Sequence, residues 1–427
     1  MSIFSCQDHR ILPAAHAAEI HAWNKALEEA IVIDGFSAPV ASRIYAYTNL
    51  TYFHLLTAGS VSILPPSVHL KSLPQSPIPA DSAQWAVQAG FGFYFVGKQL
   101  VYSDHPLDSI CKIWKENLIY HGWNTNKLAN LESETEVYFK ELAKWINADG
   151  YPKTRSMPRY TLATTEGVWQ PTPQDYMEAL EPHWGTLRPF VLDSTNQLRP
   201  PGPVPFDANP KSAFFQQCDS LLKVTRTLTP EQMAIARHWD DNSFVPIHTG
   251  HSTSAEKKLT PAGHWMNIAR SIAIQNKFDL QATSEMYCKL SMAMADAFLA
   301  CWEAKYHFQS IRPITVIQDK LDPNWKPLLV TPAFPEYPSG HSVVSGTAST
   351  ILADIFGADV AFTDSSEVPF GYPPRRFPSF EAAATEASVS RFYGGIHFPK
   401  ALDDGLEMGE KIAQFHLSQW KNSSPKQ

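Results

Sequence analysis

Lys305 and Arg312 stand seven residues apart in CWEAKYHFQSIRPI, with Pro313 directly behind the arginine. Helical periodicity runs up to Lys305, and the residue before a proline avoids the right-handed helical region. The spacing therefore predicts a helix that ends ahead of Pro313, with Lys305 in its last turn and Arg312 on an extended exit. A point-charge ammonium beside a planar guanidinium fork suits a tetrahedral oxyanion. Further on, in AFPEYPSGHSVVSG (333–346), Ser339, Gly340 and His341 open a second helix. Such a start offers N–H groups without intrahelical partners at the positive end of the dipole, a natural capping hydroxyl, and a glycine that admits a ligand to the backbone. A third segment, ASVSRFYGGIHFPKALDDGLEMG (387–409), sets Arg391 near the end of a helix over 381–392 that Gly394-Gly395 terminates, and His397 follows six residues later. Singly, each has an ordinary structural explanation: a dipole-complementing cation, a cap, a core histidine. Together, three cations, a helix N-terminus and two imidazoles suit a multiply charged oxyanion.

This ordered set (Lys305 and Arg312-Pro313, then PSGH at 338–341, then Ser390-Arg391 and His397) resembles the three-part signature of the superfamily joining vanadium-dependent haloperoxidases with type 2 phosphatidic acid phosphatases. The long upstream region is similar to the soluble haloperoxidase branch. Lipid phosphatases of the superfamily are typically multi-span membrane proteins, and this chain has no stretch of that kind. The resemblance implies that Lys305, Arg312 and Arg391 neutralise the equatorial oxygens of vanadate, and phosphate fits the same site. It implies that Ser339 and the Gly340 N–H donate to those oxygens. His397 would be the axial group, a ligand to vanadium or, in a phosphatase, the nucleophile, and His341 the general acid–base on the opposite face. The implied partners are hydrogen peroxide and a halide or small organic substrate. Lys305 would polarise the reacting oxygen, and the product would be hypohalous acid or a halogenated compound.

Vanadate and a transferring phosphoryl group share their geometry, so the cage alone does not separate oxidation from hydrolysis. Trp302 lies three residues before Lys305, and Phe334 seven before His341. Both positions resemble the chloroperoxidase type, where an aromatic pair lines the halide pocket. One position departs from the family. Four residues beyond the last histidine the family usually has an aspartate that orients the imidazole; here it is Ala401, with Asp403 and Asp404 following. That loss should hurt a nucleophilic histidine more than a metal-bound one, which favours the peroxidase and leaves an acid phosphatase as the alternative.

A rival set of ligands lies in 238–265, which holds His238, Asp240, Asp241, His248, His251 and His264. No defined metal spacing supports a metallohydrolase there. The reading is a loop-rich polar support in which Asp240 or Asp241 balances the three cations.

The rest of the chain has to position these groups. Its 427 residues are enough for one large or two ordinary domains. Net charge −7 gives no general attraction for nucleic acid or an anionic membrane, so an anion site must be a local cluster. Five scattered cysteines without CxxC spacing exclude a disulfide framework and a structural zinc site. Apolar residues at the 3.6 period predict helices over 17–33, 132–148, 231–241 and 278–308, and 84–102 reads as a buried core helix. The predicted class is all-α, built as helical bundles. The proline-rich stretch 197–210 is a candidate linker between an N-terminal helical region (1–200) and a C-terminal bundle carrying the site (211–427), within two domains or one continuous one. The loop 357–380 lies between two site motifs and is placed to cover the pocket. Ile3-Phe4-Ser5-Cys6 loosely resembles a lipoprotein processing box, which leaves export and a soluble cytoplasmic protein both open. Oligomeric state is open as well.

Overall fold

A computed structural model describes residues 15–59, 64, 67–79, 83–249 and 251–423; Cys6 and its neighbours lie outside them. The described chain is mostly helical, as its periodicity requires. The first half supplies α1 (Ala15–Asp34), α2 (Ala38–Leu56), α3 (Ala83–Leu100), α4 (His105–Tyr120), α5 (Thr125–Asn147) and the short α6 (Tyr151–Thr154). After a long irregular passage come α7 (Ala213–Arg226), α8 (Pro230–His238), α9 (Pro261–Gln275), α10 (Leu280–Phe308) and α11 (Pro313–Lys320). The chain closes with α12 (Gly340–Phe356), α13 (Phe380–Tyr393) and α14 (Pro399–Ser423).

The segment 238–265 is not only loop. It forms an antiparallel hairpin, β1 (Val245–Thr249) with β2 (Ser252–Glu256), in which Val245 opposes Glu256. Alternation here spans too few residues to be told from turn sequence. The loop 357–380 carries a second small hairpin, β3 (Phe362–Asp364) with β4 (Arg375–Phe377).

Side-chain caps set where the site helices begin. Asp279 accepts from the Ala282 N–H at the start of α10, and Ser339 accepts from the Ser342 N–H at the start of α12. α10 ends at Gln309, which takes the left-handed conformation at φ +51°; Arg312 then lies extended at φ −83°, ψ 150° in the N-cap position of α11, its side chain making no cap hydrogen bond. From Met286 to Lys305 every residue of α10 but Lys289 and Glu303 is buried, so this helix runs through the core. One buried apolar cluster runs from Ile20 of α1 through α10 to Trp420 of α14. α12 and α14 approach very closely. A Cβ on Gly346 would meet the Leu406 carbonyl oxygen at 2.6 Å, and one on Gly409 would overlap Val343. Among the described residues no helix is long and apolar enough to cross a membrane. The stretch 197–210 is tied down rather than loose: the Gly202 N–H donates to the Tyr337 hydroxyl at 3.2 Å, and Phe206 stacks edge-on against Phe214.

Candidate active site

The three motif segments converge. Lys305 reaches from the last turn of α10 into the turn that precedes α12, where its Nζ donates to the carbonyls of Pro335 (2.9 Å), Glu336 (3.0 Å) and Pro338. Arg312 donates through Nε to the Phe334 carbonyl (2.8 Å) and through one Nη to the Ile396 carbonyl (2.8 Å), and the same Nη lies 3.3 Å from His397 Nε2. Arg391, at the end of α13, reaches the Trp239 carbonyl and lies 3.7 Å from the Asp240 carboxylate. All three cations are buried. Burial pushes Lys305 down to about 7, and the Arg312 charge acts in the same direction. Burial likewise brings Arg312 down to about 10 and lowers Arg391. Neither Lys305 nor Arg312 forms an ion pair with a carboxylate among the described residues.

Ser339 and Gly340 sit at the start of α12 as the sequence predicts. The Ser339 oxygen accepts from Ser342, which leaves its O–H free to donate. An added Cβ at Gly340 would stand 3.6 Å from the Trp302 ring without clash, so the glycine keeps room open rather than relieving backbone strain. His341 and His397 are both held neutral, well below the usual histidine range, by burial and by the surrounding cations. His341 Nε2 lies 3.8 Å from Asp241 Oδ2, too far for a hydrogen bond, and has no partner. Asp240 stands beside Arg391 and Asp241 beside His341, so neither balances Lys305 or Arg312.

His397 is oriented by a residue that the sequence did not single out. Its Nδ1 donates to Glu336 Oε1 at 2.8 Å, and the same oxygen accepts the Phe398 N–H at 3.0 Å. Burial raises the Glu336 carboxyl to about 7, against the opposing pull of the Phe398 N–H and Arg312. The aspartate missing at Ala401 is therefore replaced from another segment, and not by Asp403, which is exposed, or by Asp404, which bonds the Tyr337 hydroxyl and Lys400. Ala401 itself offers its carbonyl to the Ser339 N–H at 3.0 Å. Glu336 lies 61 residues from His397, and no local pattern marks it.

Trp302 and Phe334 meet at 4.9 Å between ring centroids, and Phe334 also lies within 4.9 Å of Lys305 Nζ and 4.8 Å of the Arg312 guanidinium carbon. The pair lines a cavity of about 430 Å³ whose floor holds Gly340, His341, Arg391 and His397. Lys305, Arg312 and Ser339 are not among the residues that line it. Residues from the first half form part of the walls, among them Gly35, Phe36, Tyr102, Tyr151 and Met177, and Asn242, Phe244 and Val330 of the second half complete them. Arg312 Nη2, Arg391 Nε and His341 Nε2 are buried and have no hydrogen-bond partner. The two guanidinium donors left idle in this way fit a multiply charged oxyanion bound beside them, and the unpartnered imidazole nitrogen is free to accept a proton.

The domain model for the VCPO second helical-bundle domain matches residues 285–423, which contain every one of these motifs. A crystal structure described as the first bacterial vanadium-dependent iodoperoxidase is 37% identical, superposes with a TM-score of 0.86, and aligns over 94% of this chain and 96% of that one. This chain belongs to the vanadium-dependent haloperoxidase family. A holo-type bacterial vanadium-dependent chloroperoxidase shares the fold at 16% identity, with a TM-score of 0.68 over 91% of this chain and 95% of that one. Its apo-type structure gives 16% and 0.66 over 91% and 96%. No curated protein matches the sequence.

In this haloperoxidase the rival ligands of 238–265 divide. His238, Asp241 and His264 come together behind the cage with Asp364 and Glu367, two residues of the 357–380 loop that sequence reasoning passed over. His251 is exposed, and His248 lies in β1.

Proposed function

We propose that this chain uses hydrogen peroxide and a vanadate cofactor to oxidise halide, iodide most readily, releasing hypohalous acid or halogenating a small organic molecule. One observation carries the reading. Buried Lys305 and Arg312 have no carboxylate partner, and next to them lie an apolar aromatic pair and two neutral imidazoles. Iodide is the easiest of the common halides to oxidise, and the 37% identical bacterial relative is an iodoperoxidase.

Bound vanadate supplies a high-valent Lewis-acid centre that activates hydrogen peroxide. The chain's residues do the rest. Lys305, Arg312 and Arg391 neutralise the oxyanion, while the Ser339 hydroxyl and the Gly340 N–H donate to it. His397 would hold the vanadium through Nε2, because its Nδ1–H is committed to Glu336 and that bond sets the tautomer. His341, neutral and with Nε2 free, would serve as the base that accepts a proton from hydrogen peroxide and holds it at Nε2. Trp302 and Phe334 keep water from the halide's side of the floor.

The test measures iodide, bromide and chloride oxidation by the vanadate-free protein with and without added orthovanadate. Turnover that requires vanadate supports the reading, and the halide ratios grade the aromatic pocket. His397→Ala should abolish vanadate binding and turnover together; retained halide oxidation would show the axial assignment to be wrong.

A histidine-nucleophile phosphatase is the second reading, and one observation favours it. Glu336 gives His397 the carboxylate that Ala401 withholds, so the missing aspartate no longer counts against a nucleophilic imidazole. Hydrolysis of a small phosphate ester that vanadate blocks, with no halide oxidation, would establish it.

A further inference from the structure

Behind His341 runs a chain of buried titratable groups that the proposed chemistry leaves unused. His264 of α9 is fully buried and faces a carboxylate at each ring nitrogen: Nδ1 lies 2.8 Å from Asp241 Oδ1 and Nε2 lies 2.7 Å from Asp364 Oδ2. A neutral imidazole carries one N–H, and its other nitrogen can only accept, which a carboxylate cannot satisfy. With both carboxylates ionised, both contacts are hydrogen bonds only when the ring is doubly protonated. The ring also lies flat on Trp239, 4.4 Å between centroids at an interplanar angle of 18°. The far end is anchored as well. Asp364 Oδ2 accepts His238 Nε2 at 2.8 Å, and its Oδ1 accepts the Ser366 N–H at 2.9 Å. The other titratable groups around the clamp are Glu367, which burial raises to about 8, Asp240, Lys258 and, on the cage side, Arg391.

The near end of this chain is the residue that meets the active site. With Oδ1 held by His264, Asp241 presents Oδ2 to His341 Nε2 at 3.8 Å. Asp241 also sits at φ +38°, a left-handed conformation that a non-glycine residue adopts at a cost and keeps only when its surroundings hold it.

We propose that His264 is a positioning residue for His341. As an imidazolium clamped between Asp241 and Asp364, it keeps Asp241 ionised and turned so that the second oxygen steadies His341 when that ring takes up a proton. The role in turnover rests on the haloperoxidase reading, whereas the clamp is a property of the vanadate-free chain. Two measurements separate them.

The first is the two-bond ¹H–¹⁵N spectrum of the vanadate-free protein with labelled histidines, His264 being assigned by its loss in His264→Gln. Both His264 nitrogens should be protonated at pH 8. A neutral tautomer there, or a nitrogen whose signal moves when a chelator strips a metal ion, would overturn the clamp. The second is a double-mutant cycle in the vanadate-loaded enzyme. His264→Gln should lower kcat about tenfold, as for groups that orient a site residue, with less change in the KM for peroxide. In an Asp241→Asn background it should cost less than about twofold more, because a residue that acts only through Asp241 is silent once that carboxylate is gone. An equal loss in both backgrounds would make His264 merely structural and overturn the proposal. If His264→Gln does not fold, Asp364→Asn cuts the clamp from its far end and is held to the same cycle. Should the doubly protonated ring be found in a chain that oxidises no halide, the haloperoxidase reading fails while the clamp stands.

Discussion

Arg43 and Arg312 are both buried guanidiniums, and their surroundings differ in kind. Arg43 of α2 donates through Nε to Asp149 at 2.6 Å, and Tyr47 donates to the same carboxylate oxygen at 3.0 Å. Its guanidinium carbon lies 4.9 Å from the Tyr47 ring centroid and 4.7 Å from that of Tyr151. Arg312 has two carbonyls, an imidazole and the Phe334 ring, and no carboxylate partner among the described residues. One Nη nitrogen of each is unpartnered, so an idle donor alone does not tell them apart. The counter-charge does. Of these two arginines, Arg43 is paired with a carboxylate and serves the fold, while Arg312, with no carboxylate at ion-pair distance among the described residues, keeps its charge for an anion that arrives later.

The comparison breaks if the two arginines respond alike. Arg43→Met leaves the buried Asp149 without its cation, held only by the Tyr47 hydroxyl and the Tyr151 N–H, and should lower the unfolding free energy by about 3–5 kcal/mol while vanadate affinity stays within about twofold. Denaturant titration and vanadate binding measure the two sides. Arg312→Met should do the reverse. Vanadate affinity should fall on the order of a hundredfold, about 2–3 kcal/mol for a charge-assisted contact, with less than half of the stability loss seen for Arg43→Met. A smaller change sharpens the account of His397. Glu336→Gln keeps an acceptor for Nδ1 but removes its charge, and should weaken vanadate binding about tenfold.

The smallest effect belongs to the far side of the molecule and needs no anion. Burial, with Arg270 adding to it, holds His21 down to about 4 from 6.5, beside the Tyr287 hydroxyl at 2.7 Å. Between those two values the unfolded chain binds a proton that the folded chain refuses, so stability falls as pH drops from 6.5 towards 4. His21→Gln should flatten that part of a stability-against-pH curve. An unchanged slope would place the acid sensitivity elsewhere.

Much of this could be read from the sequence because it is local. The run over 278–308 carries its helix in its own periodicity, and the structure gives Leu280–Phe308. Lys305, Arg312, the capped start at Ser339, and His397 behind Gly394-Gly395 each owe their placement to a helix end within a few residues. Helix limits shifted where caps outweigh apolar pattern: Asn124 starts α5 at Thr125, seven residues before the apolar period signals it. Long-range pairings were not legible. Glu336 meets His397 across 61 residues, and Asp364 meets His264 across 100. An isolated acidic residue in a proline-rich turn or a surface-like loop shows no period, and only the packed fold reveals what it faces.

The cavity draws its floor from the segments around 302–397 and much of its wall from Gly35, Phe36, Tyr102, Tyr151 and Met177. Part of the guest's enclosure is thus written in a different stretch of the gene from the chemistry. Substitutions in the first half can reshape what enters while the reacting end stays fixed, so descendants of this chain can diverge in the molecules they modify without relearning the reaction. A library aimed at new organic acceptors belongs on those wall positions.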